Sequence, residues 1–482
     1  MPVIEKPVDV ASIPGWDRST DVLVVGLGVA GTCAALEAHR AGADVLVIER
    51  ASGGGGASAL SQGIFYFGGG TDVQTACGYD DSPENMYAFL RAVTTTTDEE
   101  SLRVFCEESV AQFDWLEEQG VPFKREAFTH KAVYIRSGEG LLSTGNEKTW
   151  PFRDIAVPAP RGHQVSGDGD ISGGYVAMKS LLATFAAEGV PALYDAAVIG
   201  LVTNADGRVV GVKVRKEGVD SFVEARKGVI LAAGSFNLNA EITAKHMPLF
   251  SQYGKPLGEP TNDGAGMLLG QSVGVAVRGM EGVCATASIY PPEDLIKGIV
   301  VNANGERFMP EDAYHGRMAT NIQKQPGATA FLILDEEIFD YPKHGSHTFM
   351  DAYETVEEME AALKVPSGSL ARTLADYNAG IEQGDDPAFH KDRHWLKTLH
   401  APYAVFDISI PRSDYHWMSL GGLWTNAYGQ ALSDDGQPVP GLYAAGACTA
   451  HLSQDGDEYA SGMSLGAGSL FGRRAGAHAA ST

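Results

Sequence analysis

The sequence predicts an α/β fold: a βαβ nucleotide-binding unit assembled from distant pieces of chain, with an α+β region inserted before the last piece. Three observations carry this. Residues Thr20 to Glu49 read strand, glycine turn, helix, strand and acidic end. Two more buried-type strands ending in small residues, Gly228 to Phe236 and Pro440 to Ala447, lie far downstream. After Gly279 the composition changes, and residues 280–415 carry their own strands and helices.

The first unit has a physical job for each part. Val22 to Val25 is a β-branched run, Thr32 to Arg40 is an Ala-rich helix, and Val45 to Ile48 is a second buried strand. Gly26, Gly28 and Gly31 fit G-x-G-x-x-G, with Val29 and Ala30 between them. Gly26 allows the turn off the strand, Gly28 lets backbone approach a pyrophosphate, and Gly31 lets the helix pack close to the sheet. The helix N-terminus offers free N–H groups and a positive dipole end to phosphates. Glu49, 18 residues beyond Gly31, is placed to accept from a ribose diol. The motif alone does not choose between FAD and NAD.

The rest follows in order. Residues 1–20 read as a lead-in strap carrying Trp16. The stretch after Arg50 is expected to be a loop, too glycine-rich for a regular element, with Gly56, Ala57, Ser58 and Gly63 turned to the cofactor. Ser82 to Gln119 reads as two helices, residues 123–172 as irregular chain, and Ile171 to Glu188 as a helix. Ala192 to Val214, which includes Ala197 and Val198, alternates as a hairpin around Asp206-Gly207. Asn262-Asp263-Gly264 opens a helix to about Val273. Strand Ala330 to Leu334 and helices at 355–364 and 368–383 fall within the inserted region. A glycine-rich helix starts at about Tyr459.

Composition bounds the partners. The chain has 482 residues, is 44% hydrophobic and carries a net charge of -25. That charge argues against nucleic acid or an anionic membrane as partner. Five scattered cysteines without C-x-x-C read as reduced thiols in a cytoplasmic protein. The N-terminus lacks a signal-peptide pattern, and no apolar stretch approaches the length of a membrane span. No metal-ligand spacing stands out.

Taken together, GLGVAG, GVILAAGSF with Ala233 and Gly234, and PGLYAAGA with Gly446 and Ala447 resemble the flavoprotein family of fumarate reductases and 3-ketosteroid dehydrogenases. NDGAGMLLGQSVGVAV, NANGERFMPED and YASGMSLGAGSLFGRRAGAHAA match the same pattern, so the resemblance spans essentially the whole chain. It implies a Rossmann-like FAD-binding domain of the glutathione-reductase type at 1–280 and 416–482, and an inserted α+β catalytic domain at 281–415. It implies FAD, held in part by Arg50 and by Ser464 and Leu465 on the last helix. No histidine occurs at 51–74, where family members with covalent flavin carry one, so non-covalent FAD is expected.

Within the family the residues favour a 3-ketosteroid Δ4-(5α)-dehydrogenase. The arginine clamp of the dicarboxylate branch is missing: Asp312, Tyr314 and His315 stand there, with no arginine before Arg317. Arg161 and His163 are read as solvated or structural. Tyr314 after the G-x-R-F segment and Tyr459 before the last helix match the ketosteroid branch, but Ala460-Ser461-Gly462 replaces the Pro-Gly usual in Δ1 enzymes. Oxidising a C–C bond beside a ketone needs an α proton removed while the carbonyl oxygen receives hydrogen bonds. Tyr314 is assigned as base on C4, kept near a partner that lowers its pKa, with Ser461 relaying. Tyr459 and the Gly462 N–H are assigned to the C3 oxygen, and the two tyrosines can exchange roles. Tyr290 and His315 are second-rank, and Tyr66, Phe67, Phe308, Tyr415 and Trp417 are read singly as core. The expected partners are an apolar 3-ketosteroid and an electron acceptor that the sequence does not name. The alternatives are Δ1-dehydrogenation, enoate reduction, an FAD-binding electron-transfer subunit, and an NAD dehydrogenase.

Overall fold

The computed structural model describes every residue except Met1, Thr97, 167–171, Ala287, Ser288 and Gly345. A nine-stranded sheet organises the cofactor half. Arg18–Val25 lies at its heart, parallel to Val45–Ile48 on one side and to Val219–Leu231 on the other. The last of these runs antiparallel to Val209–Lys216 through its first half and parallel to Pro438–Ala444 through its end. Leu231 therefore pairs with both Val25 and Ala444. The three strands finish level, so the small-residue segments that follow them emerge side by side. This register joins segments some two hundred residues apart in sequence into one rim. The hairpin expected around Asp206-Gly207 is present as Ala196–Thr203 and Val209–Lys216.

Two helices close over that rim. Val29–Arg40 starts at Gly28, and Met463–Ser481 starts at Gly462, whose φ of 102° favours glycine. Their backbones nearly touch: a Cβ on Gly472 would stand 2.4 Å from the Ala30 carbonyl oxygen, and one on Gly476 would stand 2.2 Å from that of Ala34. The small residues of the last helix are thus explained by close packing on the first. The helix begins four residues after Tyr459, which sits in the irregular chain leading into it.

The region between holds a four-stranded sheet, in the order Ile299–Asn302, Ala330–Asp335, Tyr403–Asp407, Thr348–Tyr353, with helices Val356–Leu363 and Ser369–Glu382. A three-stranded sheet stitches it to the cofactor half, because Val283–Thr286 pairs antiparallel with His416–Ser419.

Three expectations need correction. Ser82 to Gln119 forms three helices, Pro83–Val93, Glu99–Glu107 and Ser109–Glu118; the apolar period runs on across the break at Glu108 and hides it. The glycine-rich stretch after Arg50 contains helix Gly56–Leu60 and strand Ile64–Tyr66. Glycines at positive φ lead into that helix, and the buried Phe65 and Tyr66 pair with Gly162–Gln164. The third correction concerns 123–172, which holds short strands Leu141–Leu142 and Gly162–Gln164. Residues 167–171 of that stretch, including the expected helix start at Ile171, lie outside the described residues; the helix is seen from Gly173 to Ala187.

Candidate active site

A cavity of about 890 Å³ runs along the rim. That is near the top of the ~300–1,000 Å³ range of ligand pockets. Of the residues singled out from sequence for cofactor or catalysis, all but Gly31 and Gly264 line it. Gly31 faces the sheet instead, where a Cβ would lie 2.0 Å from the Gly26 carbonyl oxygen. Gly264 is the left-handed cap of the Ala265–Ser272 helix, against Phe236.

The glycine turn separates two duties. Gly26, at φ 101°, has the Ala232 carbonyl oxygen 2.5 Å from where its Cβ would be, so protein packing forbids a side chain there. A Cβ on Gly28 would meet no protein atom closer than Ser58 Oγ at 3.4 Å, and it faces the cavity. The surface is therefore cut back for a ligand. The first helix N-terminus and the Gly462 N-terminus open on the same cavity, which suits a group carrying phosphates and an electron-accepting ring. Such a cradle fits FAD. Glu49 accepts from the N–H groups of Leu27 (2.7 Å) and Ala51 (2.8 Å), one on each oxygen, so it also fixes the turn. Each oxygen keeps a lone pair for a ribose hydroxyl. Arg50 pairs with Asp263 at 2.8 Å.

At the far end the two tyrosines converge. The Gly305-to-Glu311 segment is anchored by a buried ion cluster: Arg307 donates in pairs to Glu311 (3.0 and 2.8 Å) and Asp386 (2.9 Å each), and Lys391 lies 3.2 Å from Glu311. This fixes the start of the His315–Gln323 helix, where the Tyr314 N–H donates to Asn146 Oδ1 at 3.0 Å. The Tyr314 hydroxyl is 2.8 Å from Ser461 Oγ. The Tyr459 hydroxyl donates to Ser464 Oγ (3.1 Å) and accepts from the Ser464 N–H (3.2 Å), and Gly462 lines the cavity beside it.

Neither tyrosine is activated by its surroundings, contrary to expectation. Burial first, then the nearby Cys284 and Tyr459, holds Tyr314 well above the usual phenol range; Ser461 only partly offsets this. Burial and Cys284 likewise raise Tyr459. The site is desolvated for an apolar ligand, and desolvation disfavours phenolate.

Arg161 and His163 are structural and not solvated. Arg161 is fully buried in a two-bond pair with Asp81 (2.9 and 2.8 Å), and His163 sits 2.8 Å from Thr71 Oγ1. Among the described lining residues the cations are Arg50 and Arg215, and neither neighbours the tyrosines. Tyr66, Phe67, Tyr415 and Trp417 are buried core outside the lining, Phe308 packs on the core, and Tyr290 accepts from the His315 N–H at 3.1 Å. Sequence reading missed Cys284, Met418, Ser419 and His451 in the cavity wall. Cys284 and Met418 are cross-strand partners in the stitching sheet, a long-range pairing that no local motif announces. His315, ranked second, lies in the wall with its ring 4.0 Å from that of Tyr314 and with both ring nitrogens unpaired among the described residues.

Known proteins agree with this geometry. The FAD binding domain family matches residues 21–464. The 3-oxo-5-alpha-steroid 4-dehydrogenase of Comamonas testosteroni is 30% identical, over 89% of this chain and 93% of its own. The crystal structure of 3-ketosteroid Δ4-(5α)-dehydrogenase from Rhodococcus jostii RHA1, in complex with 4-androstene-3,17-dione, is 40% identical over 99% of this chain and 100% of that one, with a TM-score of 0.92. The 3-ketosteroid Δ1-dehydrogenase of Sterolibacterium denitrificans shares the fold at 20% identity and a TM-score of 0.69, over 96% of this chain and 100% of that one. A glycine cradle with two helix N-termini and a family match over most of its length together establish that the chain belongs to the FAD-binding flavoprotein family of fumarate reductases and 3-ketosteroid dehydrogenases.

Proposed function

We propose that this protein is an FAD-dependent 3-ketosteroid Δ4-(5α)-dehydrogenase, which introduces the C4–C5 double bond into 5α-3-ketosteroids. The observation that carries the reading is the convergence of Tyr314, paired with Ser461, and Tyr459, paired with Ser464, at one end of an apolar-walled cavity that Gly462 also lines. Bound FAD supplies the acceptor for the hydrogen leaving C5. Residues 1–280 and 416–482 hold that cofactor without a covalent link, and 281–415 cover the substrate.

The chain's own groups do the rest. The Tyr459 hydroxyl and the Gly462 N–H hold the C3 oxygen and stabilise the enolate as the C4 proton leaves. Tyr314 takes that proton, and Ser461 hydrogen-bonds the phenolate that must form first. Among the described residues the cavity wall has Arg50 and Arg215 as its Lys or Arg side chains, each paired with a carboxylate, which disfavours a dicarboxylate substrate. Among the described residues no helix is long and apolar enough to cross a membrane. A cytoplasmic setting is supported by cysteines that are all free. The test is turnover of 5α-androstane-3,17-dione with an artificial acceptor and identification of the product. The reading requires the 4-ene; a 1-ene moves the chemistry to the other side of the ketone, and no turnover with active fumarate reduction replaces it.

A further inference from the structure

We propose that Asn146 is a positioning residue for the desaturation. Its side-chain amide ties the segment carrying Tyr314 to the chain carrying Tyr459 and Ser461, and so sets the proton-abstracting pair against the group that holds the C3 oxygen. The proposal rests on the dehydrogenase reading of the large cavity. Asn146 itself stands behind the cavity wall and acts through the residues that form it.

The geometry starts from residues 144–147. They have no helix or strand, yet Thr144, Asn146 and Glu147 are at most 3% exposed. Asn146 Oδ1 accepts from the Tyr314 N–H at 3.0 Å, and Asn146 Nδ2 donates to the Asp457 carbonyl oxygen at 3.1 Å. Both partners are backbone groups of fixed polarity, so the amide has one orientation. Among the described residues neither has another partner. Asp457 stands two residues before Tyr459. Two residues before Asn146, the Thr144 carbonyl oxygen accepts from the Ser461 N–H at 3.0 Å. The 2.8 Å contact of the Tyr314 hydroxyl with Ser461 Oγ is therefore measured out along one short stretch, with Asn146 at one end and Thr144 at the other.

The stretch is itself held in place. The Gly145 N–H donates to Glu147 Oε2 at 3.0 Å, and the Tyr66 hydroxyl donates to Glu147 Oε1 at 2.8 Å. The Tyr66 N–H in turn donates to the Gly462 carbonyl oxygen at 3.1 Å. A Cβ on Gly145 would stand 2.9 Å from that of Ala460. Ser461 and Gly462 are thus gripped by backbone contacts that need no side chain of Asn146. The Tyr314 N–H and the Asp457 carbonyl are held by the amide alone. Removing it leaves both buried and unpaired, which is unfavourable. Tyr314 then relaxes away from Ser461, and the chain before Tyr459 relaxes with it. A misplacement of ~1 Å at the reacting atoms costs a rate about 100-fold, whereas burial of a flat apolar ligand is far less sensitive to it.

Anaerobic flavin bleaching by 5α-androstane-3,17-dione in the Asn146→Ala holoenzyme tests this, with FAD content and melting read alongside. Asn146→Ser, too short to span both partners, serves if the first variant does not fold. At saturating steroid, bleaching should slow about 100-fold, while the dissociation constant of 4-androstene-3,17-dione changes less than about threefold. In isotope-edited infrared difference spectra, the C3 carbonyl stretch of bound 4-androstene-3,17-dione should move from its wild-type value toward that of the steroid in an apolar solvent, because Tyr459 follows Asp457. A merely structural role would lower melting and leave rate and stretch alone. Bleaching at the wild-type rate in a folded variant, a loss of affinity that matches the loss of rate, or an unmoved carbonyl stretch overturns the proposal. A wild-type enzyme that neither bleaches nor binds steroid fails the dehydrogenase reading and takes the proposal with it. A wild type that bleaches, with variants that bleach equally fast, fails the proposal alone.

Discussion

Removal of the Ser461 hydroxyl should move the pH dependence of the chemical step. Tyr314 acts as a base only as phenolate, and its environment holds it well above the usual phenol range. Between about pH 7 and about pH 10 the phenolate fraction therefore rises tenfold per unit, and the bleaching rate at saturating steroid should rise with it, without a plateau. The interaction within the site that favours the phenolate is the 2.8 Å contact with Ser461 Oγ. A hydrogen bond to a charged group is worth ~1.5–3 kcal/mol, or roughly one to two pH units at about 1.4 kcal/mol per unit. Ser461→Ala should thus slow bleaching about 10- to 100-fold at a given pH and shift the rising limb up by the same one to two units, while Ser461→Thr restores it. The assay is anaerobic stopped-flow bleaching across pH, with Tyr314→Phe as the variant that loses the limb altogether. A Ser461→Ala enzyme that bleaches as fast as the wild type at every pH would refute the assignment of Ser461 to the Tyr314 phenolate.

Other consequences follow from burial and packing. Gly28 has φ -79° and ψ -169°, open to any residue, and nothing in the protein obstructs its Cβ. Gly28→Ala should therefore leave apo-protein melting unchanged yet weaken FAD binding at least tenfold, about 1.4 kcal/mol, as read by flavin fluorescence on reconstitution. Arg307→Leu leaves Glu311 and Asp386 buried without their main partner; urea unfolding should show a loss of ~3–5 kcal/mol. His163 is pushed down to about 4 by burial, so its folded pKa lies below its unfolded one. Its contribution is complete above about pH 6.5 and is lost as pH falls toward about 4, because only the unfolded chain takes up the proton. Between about pH 7.5 and about pH 5 it should cost the wild type about 2 kcal/mol, and His163→Gln should lack that part of the decline in an unfolding series.

The cofactor rim was legible because its information is local. Gly26-x-Gly28-x-x-Gly31, Ala233-Gly234 and Gly446-Ala447 each follow a β-branched or apolar strand within a few residues, and pairing of Leu231 with Val25 and Ala444 only had to set them level. Tyr314 and Tyr459 were found through their segments. Cys284, Met418 and His451 were not, because what brings them to the cavity is strand pairing and loop placement across more than a hundred residues. The fate of charged and phenolic groups was also hidden. Arg161 reads as either solvated or structural in sequence, and only the fold shows it fully buried against Asp81; Tyr314 is shifted upward because desolvation outweighs Ser461. The break at Glu108 escaped notice because an apolar stripe is indifferent to a single helix boundary.

The measurement that bears most directly on the central claim is anaerobic flavin bleaching by 5α-androstane-3,17-dione carrying deuterium at C5. The account requires bleaching slowed by the label, a 4-ene product that has lost the C5 deuterium, and loss of bleaching in Tyr314→Phe. A product unsaturated at C1 that retains the label, or no bleaching at all, would contradict it.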